Sequence, residues 1–300
     1  MSNERTLVRA WTDARERLKA AGIDSPAIDA RLLLEVAAGV SRTEIITDPY
    51  RVLTAEVCAT LDGYIERRSR REPVSHILGR KGFWKIMLEV NRHVLTPRPD
   101  TEVIVDSVLE AFPEYRHFNL LDLGIGSGAM ALAILAERPH ARALGVDVSD
   151  EALAVARENA ARLGLEGRLA LLRGDWTAGL GDETFDLVIS NPPYIPTADI
   201  DALDPEVRDH EPRIALDGGP DGLDAYRTLA PEILRVLKGG GAFALEIGHD
   251  QAGAVTAIMS AAGAHDVKVS RDLATRDRMV SGTRKRAGDE KALGNPFPNR

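Results

Sequence analysis

The sequence predicts an α/β protein: a mostly parallel sheet covered by helices on both faces, preceded by a small helical bundle. Three observations carry this reading. From residue 119 onward, short apolar runs alternate with segments of helical periodicity, the order that builds a parallel sheet. The first 80 residues show helical periodicity alone. A glycine-rich turn, DLGIGSG at 122–128, follows the first apolar run and precedes a helical segment.

Within the first 80 residues, Leu7, Trp11, Ala14 and Leu18 recur at helical spacing and share one face. Ser25 and Pro26 suit an N-cap and a first helical position, Ile28, Leu32, Leu33 and Val36 supply an apolar stripe, and Gly39 suits a C-terminal cap. A third helix is expected from about Thr54, with Val57, Leu61, Ile65 and Arg68 on a common side. Residues 83–95 carry strand-like apolar residues around Asn91, which suggests a hairpin or extended connector. Two prolines interrupt TPRPDTE at 96–102, and a helix can begin at Asp100 or Thr101. NLLDLG, RALGVDVS, RLALLRGDW, FDLVISNPP and GGAFALEIG then read as strands. Ala129–Glu137, Glu151–Leu163 and Ala225–Leu237 read as the helices between them, and HDVKVS and DRMVSG as a final strand pair. The chain therefore divides into a helical bundle at 1–82, a hairpin or linker at 83–100, an α/β domain at 101–283 and a tail at 284–300. The tail has little apolar periodicity and is expected to be disordered.

Composition bounds the function. At 300 residues, 44% hydrophobic and 28% charged, the chain can bury a sizeable core. A single cysteine, Cys58, excludes a disulfide scaffold and any multi-cysteine zinc site, and no set of His, Cys and carboxylates has metal-site spacing, so no metal is expected. The N-terminus is charged throughout, unlike a secretory signal. The most apolar stretch, Leu120–Ala136, contains Asp122 and three glycines, unlike a membrane span. A soluble cytoplasmic protein is expected. The net charge of −8 falls on the body, residues 81–283, which alone carries −12, against +1 for residues 1–80 and +3 for the tail. Such a body is a poor footprint for a nucleic-acid backbone.

The glycine turn has the spacing G-x-G-x-G rather than the G-x-G-x-x-G of a dinucleotide-phosphate cradle. It suits a ligand without phosphate brought close to the main chain; a tight turn with no ligand is the plain alternative. Asp147 ends the second strand of this series and can accept both hydroxyl protons of a ribose, or cap the next helix. Trp176 follows the third strand and can border an adenine ring, or pack in the core. Ligands of open α/β sheets sit at the carboxyl ends of the strands, where all three features fall.

Asn191-Pro192-Pro193-Tyr194 directly follows the fourth strand. Two prolines stiffen the turn and leave carbonyl acceptors without N–H donors. Asn191 adds a side-chain carbonyl oxygen, and Tyr194 a ring face. Such a corner can hold both hydrogens of a planar NH2 group. A carboxamide or an exocyclic aromatic amine is a weak nucleophile because its lone pair is delocalised. Acceptors on its hydrogens raise the electron density on nitrogen and aim the lone pair at an electrophilic carbon. Positioning of this kind is worth on the order of 7–11 kcal/mol of barrier.

Together LLDLGIGSGAMALA, the Asp147 strand end, GDW and NPPY resemble the core of class I S-adenosylmethionine-dependent methyltransferases, a Rossmann-like seven-stranded fold. With FWKIMLEVNRHVLTPRPDTE, EPRIALDGGPDGLDAYR and RDLATRDRMV, residues 5–283 resemble the protein-(glutamine-N5) methyltransferases of peptide chain release factors, the PrmC/HemK family. The resemblance implies that Gly124, Ile125, Gly126, Ser127 and Gly128 form the cofactor loop, Asp147 binds the cofactor ribose and Trp176 borders its adenine. Asn191 would face both cofactor and substrate. Asn191, Pro192, Pro193 and Tyr194 would clamp the glutamine of the release factors' Gly-Gly-Gln loop, yielding N5-methylglutamine and S-adenosylhomocysteine. The helical bundle would recognise the release factor away from that loop, and the last strand of the sheet would be antiparallel. The sequence departs from the family pattern at Ile125, where Thr is frequent, and at Thr275, where Gly is common.

Two other readings remain open on the motifs. An adenine-N6 methyltransferase on DNA or RNA shares NPPY, and its best basic patch here is Arg67, Arg68, Arg70 and Arg71. A non-enzymatic S-adenosylmethionine-binding module is the other, although it has no need of an amine clamp. Glu246 after the last parallel strand, His249 beyond it, and Arg98 and Glu102 near the proline turn are further candidates, each with an ordinary structural alternative.

Overall fold

The computed structural model describes residues 5–286 and 294–298, which form two compact units. The first runs to Arg80 and includes the distant segment Asp204–His210; the second holds the remainder.

Five helices build the first unit: α1 (Leu7–Ala20), α2 (Pro26–Ala38), α3 (Arg42–Thr47), α4 (Ala55–Ser69) and α5 (Val74–Leu78). Sequence periodicity predicts only α1, α2 and α4, because α3 and α5 are too short to complete a periodic stripe. Leu7, Ala14 and Leu18 of α1 pack with Leu33 of α2 and Leu61 and Ile65 of α4. The caps follow the local chemistry. The Thr54 hydroxyl accepts the Val57 N–H, Ser41 and Glu44 form a reciprocal capping box, and Gly39 ends α2 in the left-handed conformation. Ser25 stands at the N-cap position of α2, but its hydroxyl donates to Asp29 instead of accepting a backbone N–H. Arg68 is buried, with its Nε 2.7 Å from Asp29 and a terminal nitrogen 2.9 Å from Glu206 of the helical turn Pro205–Arg208. Removing one partner of such a pair strands a buried charge.

A hairpin follows where the second unit begins, β1 (Arg80–Phe83) and β2 (Ile86–Glu89). Its turn lies at Trp84, in the left-handed region at φ 53°, and not at Asn91. Asn91 heads a separate turn, in which its Oδ1 accepts the His93 N–H. A short 3-10 turn (Pro99–Thr101) leads into α6 (Glu102–Ala111). Strands and helices then alternate: β3 (Phe118–Leu123), α7 (Ala129–Glu137), β4 (Ala141–Asp147), α8 (Asp150–Arg162), β5 (Leu169–Arg173), β6 (Phe185–Ser190), α9 (Asp224–Val236), β7 (Leu237–Glu246), α10 (Ala252–Ala261), β8 (His265–Arg271) and β9 (Asp277–Thr283). The sheet has seven strands in the order β5-β4-β3-β6-β7-β9-β8. Pairing is parallel from β5 to β7, while β9 runs antiparallel to both its neighbours.

Strand residues alternate between two cores, as a pleated sheet covered on both faces requires. Leu120, Leu187 and Ile189 face α6 and α7, whereas Leu121, Val188 and Phe243 face α9 and α10. The strand order reverses between β3 and β6, so the loops leaving these neighbours open into one crevice. No helix among the described residues is long and apolar enough to cross a membrane.

The expected disorder of the tail is corrected over residues 294–298. The Phe297 ring is buried, its centroid 6.4 Å from that of Phe112, and the Asn295 side-chain amide donates to the Asp266 carbonyl and to Ser281 Oγ. One aromatic ring with its own pocket holds a short segment without any periodicity to announce it. Residues 287–293 and 299–300 lie outside the described residues. Truncating Phe297 to alanine is expected to lower stability by about 3 kcal/mol. Denaturant unfolding checks this, and an unchanged midpoint would mean the ring contributes no packing.

Candidate functional site

A cavity of about 660 Å³ lies at the carboxyl ends of the parallel strands, within the size range of small-molecule sites. Gly124, Ile125, Gly126, Ser127, Asp147, Trp176, Asn191 and Pro193 all line it. The residues singled out at four separate strand ends of the sequence therefore meet in one place.

The glycine loop is built by backbone geometry. Gly124, Gly126 and Gly128 have φ of 72°, 54° and 83°, a region that side chains rarely adopt, which explains the alternate spacing. The loop is tied down where Gly124 and Ile125 donate to the Val146 carbonyl at 2.9 and 3.0 Å. Gly128 does not line the cavity. It caps α7, where a Cβ would meet Leu132 at 2.9 Å. Ile125, the departure from the common threonine, lies over β4, where a Cβ at Gly145 would come 2.1 Å from its side chain. Asn159 on α8 braces the loop from outside: its amide donates to the Ser127 and Glu89 carbonyls and accepts the Glu89 N–H.

Asp147 stands at the end of β4. One carboxylate oxygen accepts the Gly126 N–H and the other the Ser149 N–H, both at 3.0 Å. An ionised carboxylate offers about four lone-pair sites, so acceptor capacity remains on the cavity side. The cap of α8 is Ser149, whose hydroxyl accepts the Ala152 N–H. Trp176 has φ of 50°, and its ring passes near Gly124, where a Cβ would meet it at 3.8 Å.

Beneath the loop, Asp122 is wholly buried and accepts the Ala131 N–H at 3.2 Å. Burial pushes its carboxyl up to about 7; the Ala131 N–H opposes this, and the nearby Asp147 charge adds to it.

The 191–194 corner is only partly as expected. Asn191 and Pro193 face the cavity, while Pro192 is buried. The Tyr194 ring is corrected from a cavity face to a packing role. It lies against the core on the α9 side, and its hydroxyl donates to Glu246 Oε1 at 3.3 Å. A phenol beside a buried carboxyl satisfies both groups there, and burial pushes the phenol pKa well up. The corner is locked from behind by a segment that motif reading left without a role. Ile195 donates to the Leu216 carbonyl, Gly218 donates back to Ile195, and the Gln251 amide donates to the Tyr194 and Gly222 carbonyls. A Cβ at Gly222 would stand 2.3 Å from the Tyr194 carbonyl oxygen, and one at Gly218 2.8 Å from that of Pro193. The only sequence signal for this was the glycine density of LDGGPDGL.

Of the remaining candidates, Arg98 lines the cavity and pairs with the buried Glu211 at 2.7 Å, a carboxylate that periodicity could not single out. Burial raises the Glu211 pKa, and Arg98 opposes that rise. Glu102 accepts the Trp84 N–H and so supports the hairpin turn, while His249 is exposed. Glu246 is buried behind the corner.

The strand order, the antiparallel β9 and a glycine loop beside an acidic strand end define a class I S-adenosylmethionine-dependent methyltransferase fold. Residues 9–79 match the family described as PrmC N-terminal domain, and residues 102–203 match the methyltransferase small domain. The chain is 70% identical to the release factor glutamine methyltransferase of Caulobacter vibrioides over 279 residues, covering 93% of this chain and 96% of that protein. It is 45% identical to the enzyme of the same name from Rhodospirillum rubrum, covering 91% and 83%, and 42% identical to that from Agrobacterium fabrum, covering 89% and 94%. The chain belongs to the release factor glutamine methyltransferase family.

Asp122 keeps its proton to about pH 7 in the folded state and loses it near pH 4 when unfolded. The native state therefore binds more protons across that window, and stability falls as pH rises through it. Replacing Asp122 with asparagine is expected to remove this share of the slope, on the order of 2–4 kcal/mol between pH 4 and 7. Unfolding free energies of both proteins across the range test it, and parallel curves would rule it out.

Proposed function

We propose that this protein transfers a methyl group from S-adenosylmethionine to the side-chain amide nitrogen, N5, of the glutamine in the Gly-Gly-Gln loop of peptide chain release factors. The observation that carries the reading is the meeting of the glycine loop and the Asn191–Pro193 corner on one cavity, from neighbouring strands β3 and β6. The family membership supports the choice of a glutamine amide over other nitrogens.

The site suits the cofactor. Positive-φ glycines bring bare backbone to the cavity, Asp147 keeps lone pairs for two ribose hydroxyls, and Trp176 supplies an apolar wall for an adenine. When bound there, S-adenosylmethionine supplies an electrophilic methyl group on a sulfonium, and S-adenosylhomocysteine is the product. The protein's own task is orientation. Asn191 accepts an N–H of the substrate amide, which keeps the nitrogen lone pair directed along the line of transfer. The amide proton becomes acidic only as the new N–C bond forms, so no strong base is demanded. Pro193 holds the corner rigid, with Pro192 and Tyr194 packed behind it. No metal enters this scheme.

The nucleic-acid alternative is disfavoured by a specific observation. Each arginine of the run at 67–71 is already paired: Arg67 with Glu72, Arg68 with Asp29 and Glu206, Arg70 with Glu66, and Arg71 with Glu206. Little uncompensated positive charge remains for phosphates.

Purified protein with labelled S-adenosylmethionine is expected to label a release factor and to leave its Gln→Ala loop variant and duplex DNA unlabelled. Equal labelling of the variant would refute a glutamine target. Replacing Asp147 with alanine is expected to weaken cofactor binding by roughly 1.5–3 kcal/mol, through loss of charge-assisted hydrogen bonds. Calorimetry reads this directly, and undiminished affinity would remove Asp147 from the ribose.

A further inference from the structure

We propose that Glu211 is a positioning residue for methyl transfer: by clasping Thr96 and Arg98 to the segment 212–217, it sets the spacing between two walls of the cavity, one anchored on the cofactor side and the other on the amide corner. The inference rests on the proposed amide-methylating reading. Transfer needs the amide nitrogen close to the methyl carbon and in line with it, and a misplacement of about 1 Å can cost about 100-fold in rate. Strand ends fix the glycine loop and Asn191, but these two walls lie on connections between elements.

The walls have different anchors. The first, residues 92–98, follows the hairpin, and its Leu95, Pro97 and Arg98 line the cavity. Val94 packs with Ala152 and Val155 of α8, the helix that Asp147 precedes. Pro99 follows Arg98 and holds its backbone extended, at φ −100° and ψ 143°. The second wall, residues 212–217, lies in the connection between β6 and α9, and its Pro212 and Ile214 line the cavity. Its far end is bonded to the corner, where Ile195 donates to the Leu216 carbonyl. At its near end stands Glu211.

One carboxylate joins the two. Glu211 Oε1 accepts the Thr96 N–H at 3.3 Å, and its Oε2 accepts from an Arg98 terminal nitrogen at 2.7 Å. Thr96 is buried, and the Glu211 side chain is 1% exposed against 41% for Arg98. The pair is sealed on the glutamate side and open on the cavity side. A charge-assisted hydrogen bond of this length is among the stronger ones. Pulling the guanidinium away would strand a buried charge, so the walls resist separation. Between the two anchors of the second wall runs one short 3-10 turn, Arg213–Ala215, which leaves Ile214 64% exposed on the cavity lining. Where this apolar side chain meets an incoming peptide therefore follows from the clasp.

The test uses the full chain, a release factor and labelled S-adenosylmethionine, with turnover counted per site that binds S-adenosylhomocysteine in calorimetry. Glu211→Gln keeps the shape and an acceptor for Thr96 but gives up the charge that faces Arg98. It is expected to lower kcat by about 10- to 100-fold, with cofactor affinity unchanged. Arg98→Met is expected to lose as much, and Arg98→Lys to recover part of the loss. Because both groups act through one contact, the double variant Glu211→Gln/Arg98→Met is expected to be no slower than the slower single one. Losses that multiply in the double variant, a lysine variant as slow as the methionine one, or wild-type kcat in Glu211→Gln would each overturn the clasp. So would a cofactor affinity lost in Arg98→Met alone, which would make Arg98 a cofactor contact. The two Arg98 variants decide the matter by themselves should Glu211→Gln fail to fold. A wild-type chain that leaves release factor unlabelled overturns the proposed function and the clasp together. An active wild type with unaffected Glu211 and Arg98 variants overturns the clasp alone.

Discussion

The site depends on the close approach of two stretches of backbone, residues 191–195 and residues 216–222. Prolines at 192 and 193 remove two N–H donors from the corner, so it cannot brace itself with turn hydrogen bonds of its own. The bracing comes from the facing strand of chain, through the Ile195 and Gly218 amides and the two hydrogen bonds of Gln251. This approach is possible only because Gly218 and Gly222 carry no Cβ. The turn that meets the substrate is therefore stiff for a reason lying outside the turn.

Two buried carboxyls near the cavity are handled differently from those of the helical unit and from Glu211, which meets Arg98. In the helical unit, buried or half-buried carboxylates meet guanidinium groups directly, as in the cluster of Asp29, Arg68, Arg71 and Glu206. Around the cavity, Asp122 and Glu246 are fully buried, each with one oxygen that makes no hydrogen bond among the described residues, and burial raises both carboxyls toward neutrality. Burying an acid without full compensation costs stability, and such perturbed groups cluster at functional sites. Asp122 sits under the glycine loop and Glu246 behind the corner, so the two strained groups lie under the two halves of the site.

Much of this was legible in the sequence because the local rules are strong. The strands from Phe118 to Glu246 and the helices between them follow apolar runs and periodicity. Gly39 and Thr54 cap where their chemistry requires, and the three glycines of the loop all adopt the conformation that excludes other residues. Elements shorter than two helical turns were not legible, since α3 and α5 complete no stripe. The hairpin turn was misjudged because Trp84 is an unusual occupant of a left-handed position, whereas Asn91 is a common one. The burial of Phe297 was hidden because one ring creates no pattern.

The sequence alone determined the α/β class, the positions of the glycine loop, Asp147, Trp176 and the Asn-Pro-Pro-Tyr turn, and the family they resemble, because each is a short-range consequence of backbone conformation or residue chemistry. Only the tertiary structure decided that Tyr194 turns inward to Glu246 and that Gln251 and two distant glycines brace the corner. Those relations join residues up to 57 positions apart in the chain, where hydrogen-bond direction and the space left by a missing Cβ exist only once the fold has brought them together.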